Sequence, residues 1–161
     1  MAAGMKWYFA YGSNMAVARL FDDRMTAKGI TWGERIGGRL DGWRLTFDKL
    51  VTRHGAPRGA GAGNVVEAPG EVVHGTLNLL PAQGFDALDV HEGVANGHYE
   101  RRTVPVVRAD NGETVEAITY VALKLGTGLR PTREYLGYLL AGGDLLPADY
   151  LERLKATLTI D

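Results

Sequence analysis

A series of short segments in this chain carries β-branched residues or alternates apolar with polar ones, and helical patterns interrupt the series only irregularly. Such segments are typical of β-strands. A parallel α/β sheet would need a helix between successive strands, so the irregular spacing favours an α+β fold instead. We predict one domain over residues 1–161, a small mixed β-barrel or curled sheet of about five to six strands with flanking helices. The predicted strands cover residues 6–11, 36–47, 65–68, 72–80, 99–108 and 113–124.

Turn residues separate these strands. Asn111-Gly112 is a strong hairpin signal between the last two, and turns are also predicted at Asp48-Lys49 and Pro69-Gly70. The remaining periodic stretches predict helices over residues 14–25, 81–92, 132–141 and 147–158, with proline near the start and glycine past the end of the second.

The composition excludes several classes of function. With 18 basic and 19 acidic side chains and no basic stripe, nucleic acid is not an expected partner. No apolar run approaches the roughly 20 residues of a membrane span, and the N-terminal stretch lacks a secretory pattern, so we expect a cytoplasmic protein. The absence of cysteine and the scattering of the four histidines predict no metal site.

Residues 53–64 are rich in glycine and predict a mobile loop, either a lid or a flexible connection. Glycines at 59, 61 and 63 invite comparison with a dinucleotide-binding loop. That interpretation fails because no strand leads directly into the glycines, no helix follows them, and the spacing is wrong.

The stretch YFAYGSNM, residues 8–15, predicts a strand that passes through small polar residues into a helix. Backbone N–H groups at such a junction face outward at the positive end of a helix dipole, which attracts anions. Gly12 would let a ligand approach the backbone, and Ser13 or Asn14 could contact it. The alternative is that Ser13 and Asn14 only cap the helix and Gly12 only turns the chain.

Glu92 falls on the same helical stripe as Phe85 and Leu88, whereas Asp86 and Asp89 lie toward the polar flank as surface residues. A carboxylate facing a core loses hydration, and at a helix C-terminus it meets the negative end of the dipole; both effects raise its pKa. A raised pKa suits general acid–base chemistry. The alternative is that the last turn frays and leaves Glu92 in water.

Taken together, YFAYGSNM and the later stretch HEGV, residues 91–94, followed by Gly97 and Tyr99, resemble the γ-glutamylcyclotransferase family. The resemblance extends over most of the chain, through residues 38–47, 68–77, 119–120 and 146–155. It implies a small mixed barrel with flanking helices and a cofactor-independent enzyme that releases an amino acid or amine from a γ-glutamyl conjugate as 5-oxoproline. Its expected partner is thus a small γ-glutamyl substrate.

The resemblance also implies roles for particular residues. Glu92 matches the acid–base glutamate of the family. The substrate-binding set that it implies consists of Tyr8, Phe9, Ala10, Tyr11, Gly12, Ser13, Asn14, Met15, Tyr99, Tyr120 and Tyr135. For the last three, packing in the core or at the rim is the alternative.

Other functions remain open at this point. One is a related cyclotransferase that acts on γ-glutamylamines, glutathione or a γ-glutamyl-protected biosynthetic intermediate. Another is a binding module that keeps the pocket without turnover. A homodimer is also left open.

Overall fold

Five strands close into a barrel in the computed structural model, which describes residues 4–161. Around the barrel their order is β1-β3-β2-β4-β5, where β1 runs parallel to β5 and the other neighbours are antiparallel. The predicted mixed barrel is therefore confirmed. The strands are β1 (Lys6–Ala10), β2 (Arg35–Leu50), β3 (Gly61–Leu80), β4 (Tyr99–Arg108) and β5 (Thr114–Ala122).

Three α-helices flank the barrel: α1 (Ala82–His91), α2 (Arg133–Leu140) and α3 (Ala148–Lys155). Each lies inside the range predicted for it. Glu92 is the C-cap residue of α1, and Gly93 follows it with φ of 65°. Glycine adopts this left-handed conformation freely, and it ends the helix. Between residues 4 and 161 no helix is long and apolar enough to cross a membrane.

Two predicted turns are wrong, because both lie inside strands. Pro69-Gly70 falls within β3, where the pairing with β2 shifts register between Asp41 and Trp43. Asp48-Lys49 falls within β2, beside a second shift between Thr46 and Lys49. Bulges of this kind absorb turn-forming residues without ending the strand.

The glycine-rich loop is also shorter than predicted, because β3 begins at Gly61. A β-carbon on Gly61 would lie 1.9 Å from the carbonyl oxygen of Phe47, so the neighbouring backbone leaves room only for glycine there. The glycines after residue 60 therefore belong to a strand that packs tightly against the rest of the barrel.

The helix predicted over residues 14–25 is divided in two. A single 3₁₀ turn spans Ser13–Met15, Ala16 is extended, and a π-helix covers Ala18–Met25. A π-helix has a wider turn than an α-helix, and such segments are frequently found at functional sites.

The core has two parts, and β1 contributes to both. Trp7 and Phe9 point into the barrel, where they join apolar residues from all five strands. Tyr8 and Ala10 alternate to the other face and pack beneath the helical segments. The candidate site therefore lies where β1 ends, between the barrel and the helices.

Candidate active site

The 3₁₀ turn Ser13–Met15 forms the junction after β1. The Met15 amide donates to the carbonyl of Gly12 at 3.1 Å, so this amide is not available to a ligand. The predicted junction at the start of a long helix is wrong in this respect, since one turn has little of the dipole of a full helix. What remains at the junction is a compact turn in which Gly12 approaches the hydroxyl of Tyr135 closely.

Glu92 caps the end of α1, and its side chain is only 17% exposed. Its Oε1 atom accepts a hydrogen bond from Nδ2 of Asn14 at 3.3 Å and lies 3.8 Å from Nη1 of Arg24. Burial raises the pKa of Glu92, while the charges of Arg24 and Arg19 lower it to a smaller extent. The frayed, solvated alternative for Glu92 therefore does not describe this structure.

Asn14 connects the junction to Glu92. Its amide group is buried and donates from Nδ2 both to Glu92 and to the hydroxyl of Tyr8, the latter at 2.9 Å. Its Oδ1 atom is buried without a hydrogen-bond partner among the described residues. A buried unpaired acceptor is costly, so a donor on a bound molecule that reaches Oδ1 would remove that cost.

Three tyrosines at the site donate hydrogen bonds from their hydroxyl groups to acceptors within the protein. Tyr11 donates to the carbonyl of Tyr120 at 2.6 Å, and Tyr99 donates to the carbonyl of Gly63 at 2.7 Å. Tyr120 donates to Asp89 at 2.7 Å, so Asp89 is not the free surface residue that the sequence predicts. Burial raises the pKa of all three, and they remain neutral donors.

The other two tyrosines, Tyr8 and Tyr135, act as acceptors. Tyr8 accepts from Asn14, and Tyr135 accepts from the backbone amide of Gly63 at 2.8 Å. Neither hydroxyl donates to a hydrogen-bond acceptor among the described residues. Burial raises the pKa of both, so each keeps a proton that it can donate to a bound molecule.

These groups surround a small enclosure of about 30 Å³, which we call the inner cavity. That volume holds about one water molecule. Nine residues of the predicted site line it, together with Gly63. The complete lining is Tyr8, Tyr11, Gly12, Ser13, Asn14, Gly63, Glu92, Tyr99, Tyr120 and Tyr135.

Three residues of the predicted set do not line the inner cavity. Phe9 is fully buried in the barrel interior because its side chain alternates away from Tyr8. Ala10 and Met15 are buried in the helix-side core. Their side chains pack against the protein and hold the junction in place.

Sequence reasoning missed Arg24 and Gly63. Arg24 follows Leu20 by four residues and Phe21 by three, so its place on an apolar stripe was a usable signal. Gly63 had no comparable signal, since its role depends on how β3 passes the junction.

Two wider grooves adjoin the inner cavity. The Tyr135 groove, of about 370 Å³, shares Tyr135 with it. The Glu92 groove, of about 220 Å³, shares Glu92 and Tyr99 with it. Within residues 4–161, no three His, Asp or Glu side chains are grouped closely enough to hold a metal ion together.

Comparisons with known proteins identify relatives for most of the chain. The model of the AIG2-like family matches residues 72–154, more than half of the chain. A γ-glutamylcyclotransferase from Homo sapiens is 26% identical over 151 residues, which cover 92% of this chain and 77% of the relative.

Solved structures extend the likeness to the fold. A γ-glutamyl cyclotransferase superposes with a TM-score of 0.82 at 24% identity, covering 98% of this chain and 90% of the other. A yeast γ-glutamyl cyclotransferase described as specific to glutathione superposes with a TM-score of 0.63 at 14% identity, covering 94% of each chain. At these identities the structures support the fold alone. From the match of the family model, this chain belongs to the AIG2-like family, as its resemblance to the γ-glutamylcyclotransferases predicts.

Proposed function

We propose that this protein is a γ-glutamylcyclotransferase that converts a γ-glutamyl amino acid or amine into 5-oxoproline and the free amine. The observation that carries the proposal is Glu92, a largely buried carboxylate of raised pKa in the wall of a cavity that also contains the Gly12–Asn14 turn. The activity named for the human relative supports the same reaction class.

In the proposed reaction the α-amine of the substrate attacks its own γ-carbonyl carbon. A C–N bond forms, and the amide C–N bond to the leaving amine breaks. The α-ammonium group loses two protons and the released amine gains two on leaving as an ammonium ion, so no co-reactant is consumed. Glu92 is the group that takes protons from the first nitrogen and delivers them to the second.

Holding the substrate in a folded conformation supplies much of the acceleration, because an intramolecular attack already has an effective concentration of ~10⁵ M or more when its geometry is held. In the proposal, the unpartnered Oδ1 of Asn14 accepts from the α-amine beside Glu92. The amides of the junction before Met15 bind the α-carboxylate.

The developing oxyanion needs hydrogen-bond donors. Tyr8 and Tyr135 are the cavity tyrosines whose protons are not committed to protein acceptors among the described residues. We therefore assign oxyanion stabilisation to these two hydroxyls.

The inner cavity is smaller than a γ-glutamyl group, so binding must separate its walls. Tyr135 lines both this cavity and the Tyr135 groove, which makes its side chain the partition between them.

The test is mass-spectrometric detection of 5-oxoproline from a panel of γ-glutamyl dipeptides, γ-glutamylamines and glutathione. Wild-type protein should form it from at least one substrate, and Glu92→Gln should lower turnover by at least about a hundredfold while retaining substrate binding. The matched control is Glu116→Gln, which removes a carboxylate from an exposed position on β5. Substantial turnover by Glu92→Gln would contradict the role of Glu92, and binding without product in wild type would favour the binding-module alternative.

A further inference from the structure

Lys49 is a buried cation that forms no ion pair with any residue between 4 and 161. The residue is 5% exposed near the end of β2, where it pairs with Ala62 on β3 and bridges to Leu125. Its ammonium group donates to the carbonyl of Leu50, and among residues 4–161 no carboxylate lies within 4.0 Å of it. Burying an ammonium group without a carboxylate is unfavourable.

The charges around Lys49 leave its own charge incompletely balanced. Burial lowers the pKa of Lys49, the nearby charge of Lys124 lowers it further, and the carboxylate of Glu92 raises it to a smaller extent. Burial and the charges of Lys49 and Lys124 likewise lower the pKa of His98. A negative group bound beside Lys49 would offset these effects.

Lys49 lies in the wall of the Glu92 groove. This groove is lined by Lys49, Arg53, His91, Glu92, His98 and Tyr99, among others. Glu92 is the only acidic residue in the lining, and Lys49 lies 5.6 Å from the ring centroid of Tyr99. The groove therefore joins the acid–base carboxylate to a site with unpaired positive charge.

The leaving nitrogen must receive protons from Glu92, so the group attached to that nitrogen extends into a space that Glu92 borders. Glu92 borders the Glu92 groove but not the Tyr135 groove. The first groove is thus the better place for the leaving group, and Lys49 in its wall provides a buried cation for a carboxylate on that group.

On the basis of the proposed function, we propose that the Glu92 groove is the leaving-group subsite and that Lys49 binds a carboxylate of the leaving group. The substrate class is then γ-glutamyl amino acids or peptides rather than γ-glutamyl derivatives of uncharged amines. Lys49 is a specificity-determining residue in this assignment, and the reaction itself does not require it.

A matched pair of substrates tests this assignment: γ-glutamylalanine and γ-glutamylalaninamide, which differ only in the carboxylate. We expect wild-type kcat/KM to favour γ-glutamylalanine by about tenfold or more, the size of effect that a buried charge-assisted hydrogen bond gives. Lys49→Met should remove that preference by lowering kcat/KM for the acid much more than kcat/KM for the amide. Lys49→Arg, which keeps the charge, should retain part of the preference.

Lys6→Met is the control, because Lys6 is exposed at the start of β1 and does not line the groove. It should leave the preference intact. Turnover of the amide by Lys49→Met reports whether that variant is folded. Equal wild-type kcat/KM for the two substrates, or an equal loss on both in Lys49→Met, would overturn the subsite while leaving the proposed function in place.

If neither substrate gives 5-oxoproline and no other γ-glutamyl compound does, the proposed function fails instead. Titration calorimetry with the same two ligands then tests the anion site directly. Tighter binding of the acid, lost in Lys49→Met, supports the site, and equal or absent binding of both ligands contradicts it.

Discussion

The carboxylate of Glu92 lies in surroundings that disfavour its charge. Loss of hydration is the largest influence on its pKa and raises it, and the hydrogen bond from Asn14 and the charges of Arg24 and Arg19 only partly compensate. A carboxyl group placed in this way accepts and returns a proton more readily near neutral pH than a solvated one does. At the scale of single residues, this placement therefore lowers stability at neutral pH and leaves a carboxyl group that is suited to the proposed proton transfer.

The cost of burying the ionised Glu92 predicts a pH-dependent gain in stability from Glu92→Gln. The pKa of Glu92 in the folded protein is raised above its ordinary value of 4.5. Below pH 4.5 the carboxyl group is protonated in both the folded and the unfolded protein, and the folded state keeps its full stability. As pH rises through the folded-state pKa, the buried group must ionise and this stability is lost. Glutamine cannot ionise. We expect the variant to unfold with the same free energy as wild type in acid and to be more stable at neutral pH, as measured by urea unfolding across a pH series.

Glu116→Gln shows in the same series what loss of an exposed carboxylate does. The burial cost assigned to Glu92 would be contradicted if the stability difference between Glu92→Gln and wild type stayed constant or shrank as pH rises.

At the scale of elements, the π-helix contributes a charged side chain to the candidate site, and β3 contributes backbone groups. Leu20, Phe21, Arg24 and Met25 form the buried side of the π-helix, and this side carries the Arg24 guanidinium to Glu92. On the opposite chain segment, β3 supplies backbone groups instead of a side chain. The carbonyl of Gly63 accepts from Tyr99 and its amide donates to Tyr135.

The contact at Gly63 predicts a loss of activity in Gly63→Ala. A β-carbon there would lie 3.0 Å from the hydroxyl oxygen of Tyr135 and 3.8 Å from the α-carbon of Gly12. The methyl group would shift the hydroxyl assigned to the oxyanion by a few tenths of an ångström. Since a misplacement of about 1 Å can cost on the order of a hundredfold in rate, a smaller shift should cost less than that. We expect kcat/KM for 5-oxoproline formation to fall by about tenfold or more.

Gly137→Ala on α2 is the matched control, because Gly137 is exposed and a β-carbon there meets nothing within 4 Å. It should raise the free energy of unfolding by roughly 0.5–1 kcal/mol and leave activity unchanged. Full activity in Gly63→Ala would argue against a catalytic role for the Tyr135 position.

At the scale of the whole molecule, the barrel fixes the distance between the junction and the helices. Its closure depends on two short seams, β1 with β5 and β2 with β4, each with two paired positions. The first seam includes Tyr8, and the hydroxyl of Thr119 on β5 donates to the carbonyl of Phe9 at 2.9 Å. The contacts that close the barrel at this seam therefore also hold the residues at the start of the site.

The second seam predicts the effect of Gly38→Ala. Gly38 pairs with Arg108, and a β-carbon there would lie 2.9 Å from Cγ1 of Val106 and 3.0 Å from Cγ of Leu77. Overpacking of this kind lowers stability by about 1–3 kcal/mol. Chemical denaturation should show this loss in Gly38→Ala.

Val106→Ala provides the companion measurement, because it removes the nearer of the two contacting atoms. The double variant Gly38→Ala/Val106→Ala should be less destabilised than the sum of the single variants. Strict additivity would show that Val106 does not limit the space at this seam.

Much of the fold could be predicted from local pattern. The hairpin at Asn111-Gly112, the bounds of α1 with Gly93 after it, and the cap of α2 at Thr132 all follow from residues close together in the sequence. The turns predicted at Pro69-Gly70 and Asp48-Lys49 are wrong because each pair lies at or beside a bulge. The two strands pair both before and after the bulge, so the turn-forming residues stay within a strand.

The sequence by itself determined the helical stripe that carries Glu92 and the strand that leads into Gly12. The tertiary structure decided what meets there: Asn14 and Glu92 lie 78 residues apart in sequence, and Gly63 and Tyr135 lie 72 residues apart, yet each pair is hydrogen-bonded. The physical reason is that helical stripes and capping residues depend on neighbours within a few positions. Contacts between distant segments depend instead on strand register and barrel closure, which are set only when the whole core packs.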